Sequence, residues 1–214
     1  MSKIKNIIIF ASGSGSNTEN LILKLSEAKL KVNWFVFTNN PKAGVIKRCE
    51  ALNIKCEVFE KQSFFNSSLV EQKILKINPE MIILAGFLLK IPTTLIEMNF
   101  PIINIHPSLL PKYGGKGMYG NYVHAAVIEN KELFSGITIH KVNRNYDEGE
   151  VIFQNHGVSS VMIRFGALTG STRVGLPYPS PGAISDTFSR HPVDIMLRDE
   201  WIKWQLEPEK PAQP

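Results

Sequence analysis

An asparagine and a histidine two residues apart are the residues of this chain best suited to chemistry. Asn104 and His106 end a short apolar segment and are followed by the stiff stretch 107–111, which begins and ends with proline. In a β-strand, residues two apart lie on one face, about 7 Å from each other along the strand. Ligands of open α/β sheets bind beyond the carboxyl ends of the strands, where an amide and an imidazole can donate hydrogen bonds and transfer protons. We therefore predict that Asn104 and His106 form a catalytic pair.

A carboxylate further along the chain, Asp147, is the expected partner of His106. It lies in the acidic turn 146–150, from which it could fold back against the imidazole, raise its pKa and fix its tautomer. An Asp-x-Gly sequence is also common in turns without function, so the turn alone leaves both interpretations open. His124 and His140 have no acidic or histidine neighbour at metal-ligand spacing, and we predict no metal site.

A glycine-rich segment near the amino terminus is the candidate anion site. Gly13-Ser14-Gly15-Ser16-Asn17 separates a predicted strand from a predicted helix, whose first N–H groups and dipole favour an anion. A dinucleotide-binding loop would have a third glycine where Thr18 stands, and an acidic residue where the second strand ends in Thr38-Asn39-Asn40. The loop therefore favours a single phosphate over NAD, with a structural turn that binds no ligand as the alternative.

The elements that position these residues alternate between strand and helix. Such alternation is typical of a doubly wound, mainly parallel sheet of the Rossmann-like α/β class. Asn39 and Asn40, followed by Pro41, predict a capped start for the second helix. The strands are predicted at residues 4–11, 32–38, 55–59, 81–85, 102–105, 136–142 and 151–154. The first helix is predicted from the glycine-rich segment to about residue 29, and the second from Pro41 to residue 52. Three further helices are predicted at residues 68–76, 93–98 and 121–130.

The composition changes near residue 156. Residues 1–150 contain 16 lysines and two arginines, whereas residues 151–214 contain two lysines and four arginines, with prolines clustered from Pro177 onward. Lysine and arginine have similar helix propensities, so folding alone does not require this change. We predict an α/β domain at 1–156 and an atypical, loop-rich tail of different coding origin at 157–214. A proline-rich extension that the protein uses is the alternative.

Charge and cysteine content restrict the class of protein. The net charge is +5, but the lysines are scattered, so we expect small anionic metabolites and no nucleic acid as partners. No apolar run is long enough to span a bilayer, and the first residues lead directly into a strand-like segment. We therefore expect no membrane association and no signal peptide. Two cysteines without metal-ligand spacing predict reduced thiols in a cytoplasmic protein.

Four motifs taken together resemble the phosphoribosylglycinamide formyltransferase family over about residues 4–154. The motifs are Gly13-Ser14-Gly15-Ser16-Asn17, Leu84-Ala85-Gly86-Phe87, Asn104-Ile105-His106-Pro107-Ser108-Leu109-Leu110-Pro111 and Asp147-x-Gly149-x-Val151-Ile152. The family transfers the formyl group of 10-formyltetrahydrofolate to the glycine amine of phosphoribosylglycinamide in de novo purine biosynthesis. The resemblance implies this activity for the chain, with the formyl folate as co-substrate and no metal.

The resemblance also implies a role for each matched residue. Asn104, His106 and Asp147 would be catalytic: the amide and a protonated imidazole stabilise charge on the formyl oxygen, and Asp147 raises the pKa of the imidazole. The phosphate of the ribotide would be held by Gly15, Ser16 and Asn17. The pterin of the folate would be held by Leu88, Leu89, Lys90 and Ile91 together with Asn143, Arg144, Asn145, Tyr146 and Asp147.

The chain departs from the family after about Gly157. Members carry a helix there with a glutamate for the ribose hydroxyls and a Glu-His-x-x-Tyr-Pro-like segment, and this sequence has neither. The lost carboxylate predicts ribotide binding weaker by about tenfold to a hundredfold. A folate hydrolase and a methionyl-tRNA formyltransferase share the Asn, His and Asp set and are alternatives, as is an inactive folate or ribotide binder. The sequence predicts no oligomeric state.

Overall fold

The computed structural model describes residues 4–27, 31–132 and 134–159, with side chains up to Asn155. The predicted tail lies outside these residues from position 160 onward, so its boundary at 156 stays a prediction. The strands are β1 Lys5–Phe10, β2 Val32–Thr38, β3 Cys56–Val58, β4 Met81–Leu84, β5 Ile102–His106, β6 Phe134–Lys141 and β7 Val151–Ser159. The helices are α1 Ser16–Glu27, α2 Gly44–Ala51, α3 Lys61–Asn66, α4 Leu69–Ile77, α5 Thr93–Glu97 and α6 Asn121–Glu129. None of these helices combines the length and the apolar character needed to cross a membrane.

The seven strands form one sheet in the order β3-β2-β1-β4-β5-β6-β7. β1 pairs in parallel with β2 on one side and with β4 on the other, and β2 pairs in parallel with β3. β6 runs antiparallel to both β5 and β7. The predicted doubly wound, mainly parallel sheet is therefore confirmed, and its last strand pair is antiparallel around a turn.

Aromatic packing fixes the end of β1, where the glycine-rich segment begins. The chain divides into two compact units after Ile102, and β1 lies in the first. The ring centroid of Phe10 lies 5.1 Å from that of Phe87 and 5.9 Å from those of Phe59 and Phe64. Because a buried aromatic cluster is well packed in one arrangement, it holds the last residue of β1 firmly.

A buried threonine fixes the loop that follows β5 in the second unit. The Thr138 hydroxyl donates to the Ser108 carbonyl at 2.7 Å and accepts from the Leu110 N–H at 3.0 Å. The Gln154 side-chain amide donates to the same hydroxyl at 2.8 Å and to the Leu110 carbonyl at 2.9 Å. These bonds satisfy the polar groups of a loop that is largely buried here, and so set its course.

Predictions of helix and strand bounds from local sequence fail where tertiary packing determines the secondary structure. The expected asparagine cap of the second helix is wrong: α2 begins at Gly44 after Ala43, without a side-chain cap, and Asn40 Oδ1 accepts from the Lys42 N–H at 2.9 Å in a turn before it. Helix α3 was not predicted, because it is six residues long and owes its place to the buried ring of Phe64. β7 runs to Ser159, five residues beyond its predicted end.

Candidate active site

β5 brings Asn104 and His106 to one face, where both approach Asp147. Asn104 Nδ2 lies 3.4 Å from Asp147 Oδ1, and His106 Nδ1 lies 3.6 Å from the same oxygen. The side chains of His106 and Asp147 are 3% and 10% exposed. The three residues predicted as catalytic therefore lie together in the second unit, largely shielded from water.

The backbone of the turn explains why Asp147 reaches these side chains. Asp147 has a left-handed backbone with a φ of 55°, which aspartate tolerates better than most residues. Its Oδ2 accepts a hydrogen bond from the Gly115 N–H at 2.9 Å, and Oδ1 faces the amide and the imidazole. A Cβ at Gly149 would overlap the carbonyl oxygen of Lys141, so the turn closes only with glycine at that position.

A backbone carbonyl fixes the tautomer of His106. His106 Nε2 lies 2.8 Å from the carbonyl oxygen of Tyr113. Since a carbonyl oxygen only accepts hydrogen bonds, Nε2 carries the proton. The neutral imidazole therefore has its lone pair on Nδ1, the nitrogen that faces Asp147.

Burial lowers the pKa of His106 below its ordinary value, although the Asp147 carboxylate and the Tyr113 carbonyl both act to raise it. Asp147 therefore acts on this pKa in the expected direction, but the net pKa of the imidazole is lowered. The protonated imidazole expected during catalysis stays a prediction. The sequence reveals the carboxylate partner but not the depth at which the pair is buried, and here burial has the larger effect. At neutral pH the imidazole is neutral, and Nδ1 is able to accept a proton.

The pKa of Asp147 is shifted in the opposite sense to the one that burial favours. Burial acts to raise this pKa, but the contacts with His140 and His106 and the Gly115 N–H outweigh it, so the pKa is lowered. Asp147 is therefore a carboxylate at neutral pH. It can stabilise a proton that arrives on the imidazole beside it.

His140 is a member of this site that sequence reasoning missed. It is 2% exposed and lies opposite Asn104 in the β5–β6 register. Its Nε2 lies 3.1 Å from Asn104 Nδ2 and 3.5 Å from Asp147 Oδ1, while its Nδ1 lies 2.8 Å from the Lys141 carbonyl oxygen. The cross-strand register could have revealed it, because a residue directly opposite a catalytic side chain shares its face.

The hydrogen bonds of His140 determine how the Asn104 amide is used. The Nδ1–H of His140 donates to the Lys141 carbonyl, and His140 Nε2 receives one N–H of Asn104, since an amide nitrogen only donates. The second N–H of that amide faces Asp147 at 3.4 Å, which is a long hydrogen bond. The amide therefore has one well-made bond and one that a stronger acceptor could replace.

The loop predicted to bind phosphate, residues 13–17 of the first unit and called the phosphate loop below, is held by helix α2. The Val45 N–H donates to the Gly13 carbonyl at 3.2 Å, and Arg48 Nε donates to the Ser14 carbonyl at 3.0 Å. Gly15 has a φ of 78°, and a Cβ there would lie 2.5 Å from the Cα of Val45. Glycine is therefore required at Gly15 for packing within the protein.

Ser12 connects the phosphate loop to the segment predicted to hold the pterin. Its hydroxyl donates to Asn39 Oδ1 at 2.6 Å and accepts from the Leu88 N–H at 3.0 Å. Its N–H donates to the Gly86 carbonyl at 3.0 Å. The N–H of Leu88 is thus occupied within the protein, and a ligand at this residue would meet its carbonyl or its exposed side chain.

The two predicted folate segments lie in different units. Leu88, Leu89, Lys90 and Ile91 belong to the first, where Ile91 is buried. Residues 143–147 belong to the second, as an exposed turn that ends at Asp147. The Asn145 N–H donates to Asn143 Oδ1 at 2.9 Å, and the Asn145 amide donates to Glu148 Oε2 at 2.7 Å, so the turn holds its own shape.

Within the described ranges, no group of three or more His, Cys, Asp or Glu residues is arranged to hold a metal ion. The side chains of the cluster interact with one another and with backbone groups.

Comparison with known proteins gives one consistent result. The model of the formyl transferase family matches residues 5–159. Phosphoribosylglycinamide formyltransferase of Bacillus subtilis is 37% identical over 161 residues, which cover 71% of this chain and 78% of that protein. The chloroplastic phosphoribosylglycinamide formyltransferase of Arabidopsis thaliana is 36% identical over 160 residues, which cover 71% of this chain and 54% of the relative, so the chain spans about half the length of the plant protein.

A solved structure with this fold extends the similarity beyond sequence. The crystal structure of phosphoribosylglycinamide formyltransferase from Streptococcus pneumoniae superposes with a TM-score of 0.65 at 25% identity. The superposition covers 93% of this chain and 97% of the other.

Proposed function

Since this chain belongs to the formyl transferase family, we propose that it transfers the formyl group of 10-formyltetrahydrofolate to the amine of N1-(5-phosphoribosyl)glycinamide. This is a step of de novo purine biosynthesis, and it makes the chain a one-carbon transferase. The observation that carries the proposal is the buried cluster of Asn104, His106 and Asp147, in which one imidazole nitrogen is kept as an acceptor.

The geometry suggests a separate role in the transfer for each of Asn104, His106 and Asp147. As the amine attacks the formyl carbon, a C–N bond forms and negative charge builds on the formyl oxygen, which needs hydrogen-bond donors. The N–H of Asn104 that faces Asp147 is the donor able to turn to that oxygen, because its present bond is long. The proton shed by the amine passes to Nδ1 of His106, where Asp147 stabilises it, and returns to the departing folate nitrogen when the old C–N bond breaks.

The remaining roles follow the motifs. Gly15, Ser16 and Asn17 hold the phosphate of the ribotide at the start of α1, where helix N–H groups favour an anion. Leu88, Leu89, Lys90 and Ile91 hold the pterin of the folate with Asn143, Arg144, Asn145, Tyr146 and Asp147. We further propose that the partners are these small molecules and neither nucleic acid nor membrane, that the reaction uses no metal, and that the protein works in the cytoplasm.

The test is a direct assay with both substrates. The purified full-length chain is incubated with 10-formyltetrahydrofolate and the ribotide, and the formation of formylated ribotide and of tetrahydrofolate is followed separately. Equal amounts of both products are expected. Loss of the formyl group to water, with no formylated ribotide, would identify a hydrolase, and binding without turnover would identify an inactive binder; either result overturns the proposal.

A further inference from the structure

The Tyr113 carbonyl that fixes the His106 tautomer is presented by an unusual backbone. Tyr113 has a φ of 58°, in the left-handed region that residues with a large side chain rarely adopt. Such a conformation persists only where the surrounding structure holds it, and it is found preferentially at functional sites. What holds Tyr113 in place therefore bears on His106.

One carboxylate oxygen, Glu132 Oε1, binds the side chains of both Lys112 and Tyr113. The Tyr113 hydroxyl donates to Glu132 Oε1 at 3.0 Å, and Lys112 Nζ donates to the same oxygen at 2.7 Å. Glu132 follows the end of α6, where its own N–H donates to the Val127 carbonyl at 3.2 Å. The carboxylate is thus anchored to the helix, and the tyrosine ring is anchored to the carboxylate.

The first part of this loop, from Ser108 to Lys112, is held by hydrogen bonds that do not involve Glu132. The Ser108 hydroxyl donates to the Lys112 carbonyl at 2.8 Å, and the Lys112 N–H donates to the Leu109 carbonyl at 3.1 Å. These bonds fix the loop up to Lys112. The orientation of the next carbonyl, that of Tyr113, depends on the torsions of Tyr113 itself, and the bond to Glu132 restrains these through the ring.

We propose that Glu132 is a positioning residue for His106, acting through the Tyr113 hydroxyl to aim the Tyr113 carbonyl at Nε2. The proposal rests on the proposed function only in that His106 carries the transfer. A phenol bound to a carboxylate is a charge-assisted pair and is stronger than a bond between neutral groups. Without it the left-handed turn relaxes, the carbonyl leaves Nε2, and the two neutral tautomers of His106 become closer in population.

The direction of the effect on protonation follows from the same contact. The Tyr113 carbonyl supports the protonated imidazole, so its departure lowers the pKa of His106 further. The titratable groups that face His106 are Asp147 from the turn, His140 from β6 and His124 from α6, and all three stay in place. Tyr113→Phe is the cleaner variant, because it removes the bond to Glu132 without removing a charge.

The experiment measures the tautomer and the pKa of the His106 imidazole directly. Full-length protein labelled with ¹⁵N-histidine is titrated by NMR, and the His106 signals are assigned from their loss in His106→Gln. In the wild-type protein we expect Nε2 to carry the proton. Tyr113→Phe and Glu132→Gln should move the two nitrogen signals towards each other and lower the His106 pKa, with kcat reduced about threefold to tenfold and KM little changed.

The controls separate this contact from general effects. Tyr122→Phe and Glu129→Gln change the same residue types on exposed positions of α6 and should leave the His106 signals at their wild-type positions. Lys112→Met removes the second partner of Glu132 and should have a smaller effect than Tyr113→Phe. The double variant Tyr113→Phe/Glu132→Gln should be no worse than either single variant, since both break one bond.

Unchanged His106 signals in folded Tyr113→Phe and Glu132→Gln proteins would overturn the inference, as would fully additive effects in the double variant. Because the NMR result does not depend on turnover, the two proposals fail separately. A protein without transfer activity whose His106 signals still respond to Tyr113→Phe would retain the positioning role and lose the proposed function.

Discussion

The phosphate loop and the candidate catalytic cluster, here Asn104, His106, His140 and Asp147, are held in place by different contacts. The shape of the loop is set by hydrogen bonds from α2 to its backbone carbonyls and by the close packing of Gly15 against Val45. The cluster depends on hydrogen bonds and charge contacts between the Asn104 amide, two buried imidazoles and the Asp147 carboxylate. The loop should therefore respond to changes in volume at any pH, and the cluster to changes in charge and pH.

The largest effect is expected where the cluster loses a reacting group. His106→Ala or Asn104→Ala should lower kcat by about a hundredfold or more, because each removes a group that acts only as charge and protons move. Steady-state kinetics and folate binding by fluorescence give the two readouts, and folate binding should change little. Asn130→Ala, an exposed asparagine after α6, is the matched control. Wild-type turnover in His106→Ala would refute the assignment.

A steric change in the loop should come next in size and should not depend on pH. Gly15→Ala places a Cβ against Val45 at a positive φ, so we expect a loss of about 1–3 kcal/mol in the free energy of unfolding. Ribotide binding should weaken with it, while a folate analogue still binds. Gly13→Ala is the control, because a Cβ there meets no atom within 4 Å.

Urea denaturation and calorimetric titration at pH 6 and pH 8 compare these two loop variants. If Gly13→Ala lowers ribotide affinity without loss of stability, the loop contacts the ligand closely at that residue. Equal stability of Gly15→Ala and the wild type would contradict the steric account.

Asp147→Asn should move the pH dependence of the cluster. Activity is lost in acid as the neutral His106 becomes protonated, and Asp147 raises the pKa at which this happens. Removing its charge lowers that pKa, so the acid limb of the pH–rate profile should shift to lower pH, together with a decrease in kcat. Glu148→Gln, the exposed neighbour in the turn, should leave the limb in place. An acid limb at the wild-type pH in Asp147→Asn would show that Asp147 does not act through His106.

The smallest effect expected is on stability in mild acid. The pKa of His106 in the folded protein lies below its unfolded value of about 6.5. The unfolded chain therefore binds the proton first, and stability decreases as the pH falls below about 6.5. Hydrogen exchange at pH 7.5 and 5.5, corrected for intrinsic rates, should show protection lost in β5 and β6 more than in β1 and β2. His106→Gln should reduce this difference, and an unchanged difference would place its source in other groups.

The sequence predicts the parts of the molecule that depend on local pattern. The continuous apolar runs of β1 and β4 are the signature of buried parallel strands. Strand alternation places Asn104 and His106 on one face of β5, where both approach Asp147 from the turn between β6 and β7. Short α3 escapes prediction because its helical state is due to the burial of Phe64, a tertiary contact.

The parts of the site that the sequence does not predict depend on the register of strand pairing and on how deeply side chains are buried. His140 belongs to the cluster only because β6 pairs with β5 so that it lies opposite Asn104. No sequence pattern predicts the contact between the Tyr113 carbonyl and His106 Nε2. Every residue has a carbonyl, and only the fold determines which one lies beside the imidazole. The net direction of the His106 pKa shift is not predicted for the same reason: a carboxylate partner, which raises the pKa, is visible in a sequence, but the cost of burial is not.

The left-handed backbone of Asp147 also constrains how this protein can change in evolution. Asparagine and glycine are the other residues that adopt this conformation readily, so they are the replacements that leave the turn intact. Asparagine keeps the shape and an acceptor for the Gly115 N–H but loses the charge. The easiest evolutionary change at this position therefore keeps the turn and removes the negative charge beside His106 and His140, so the fold itself does not select against the loss of that charge.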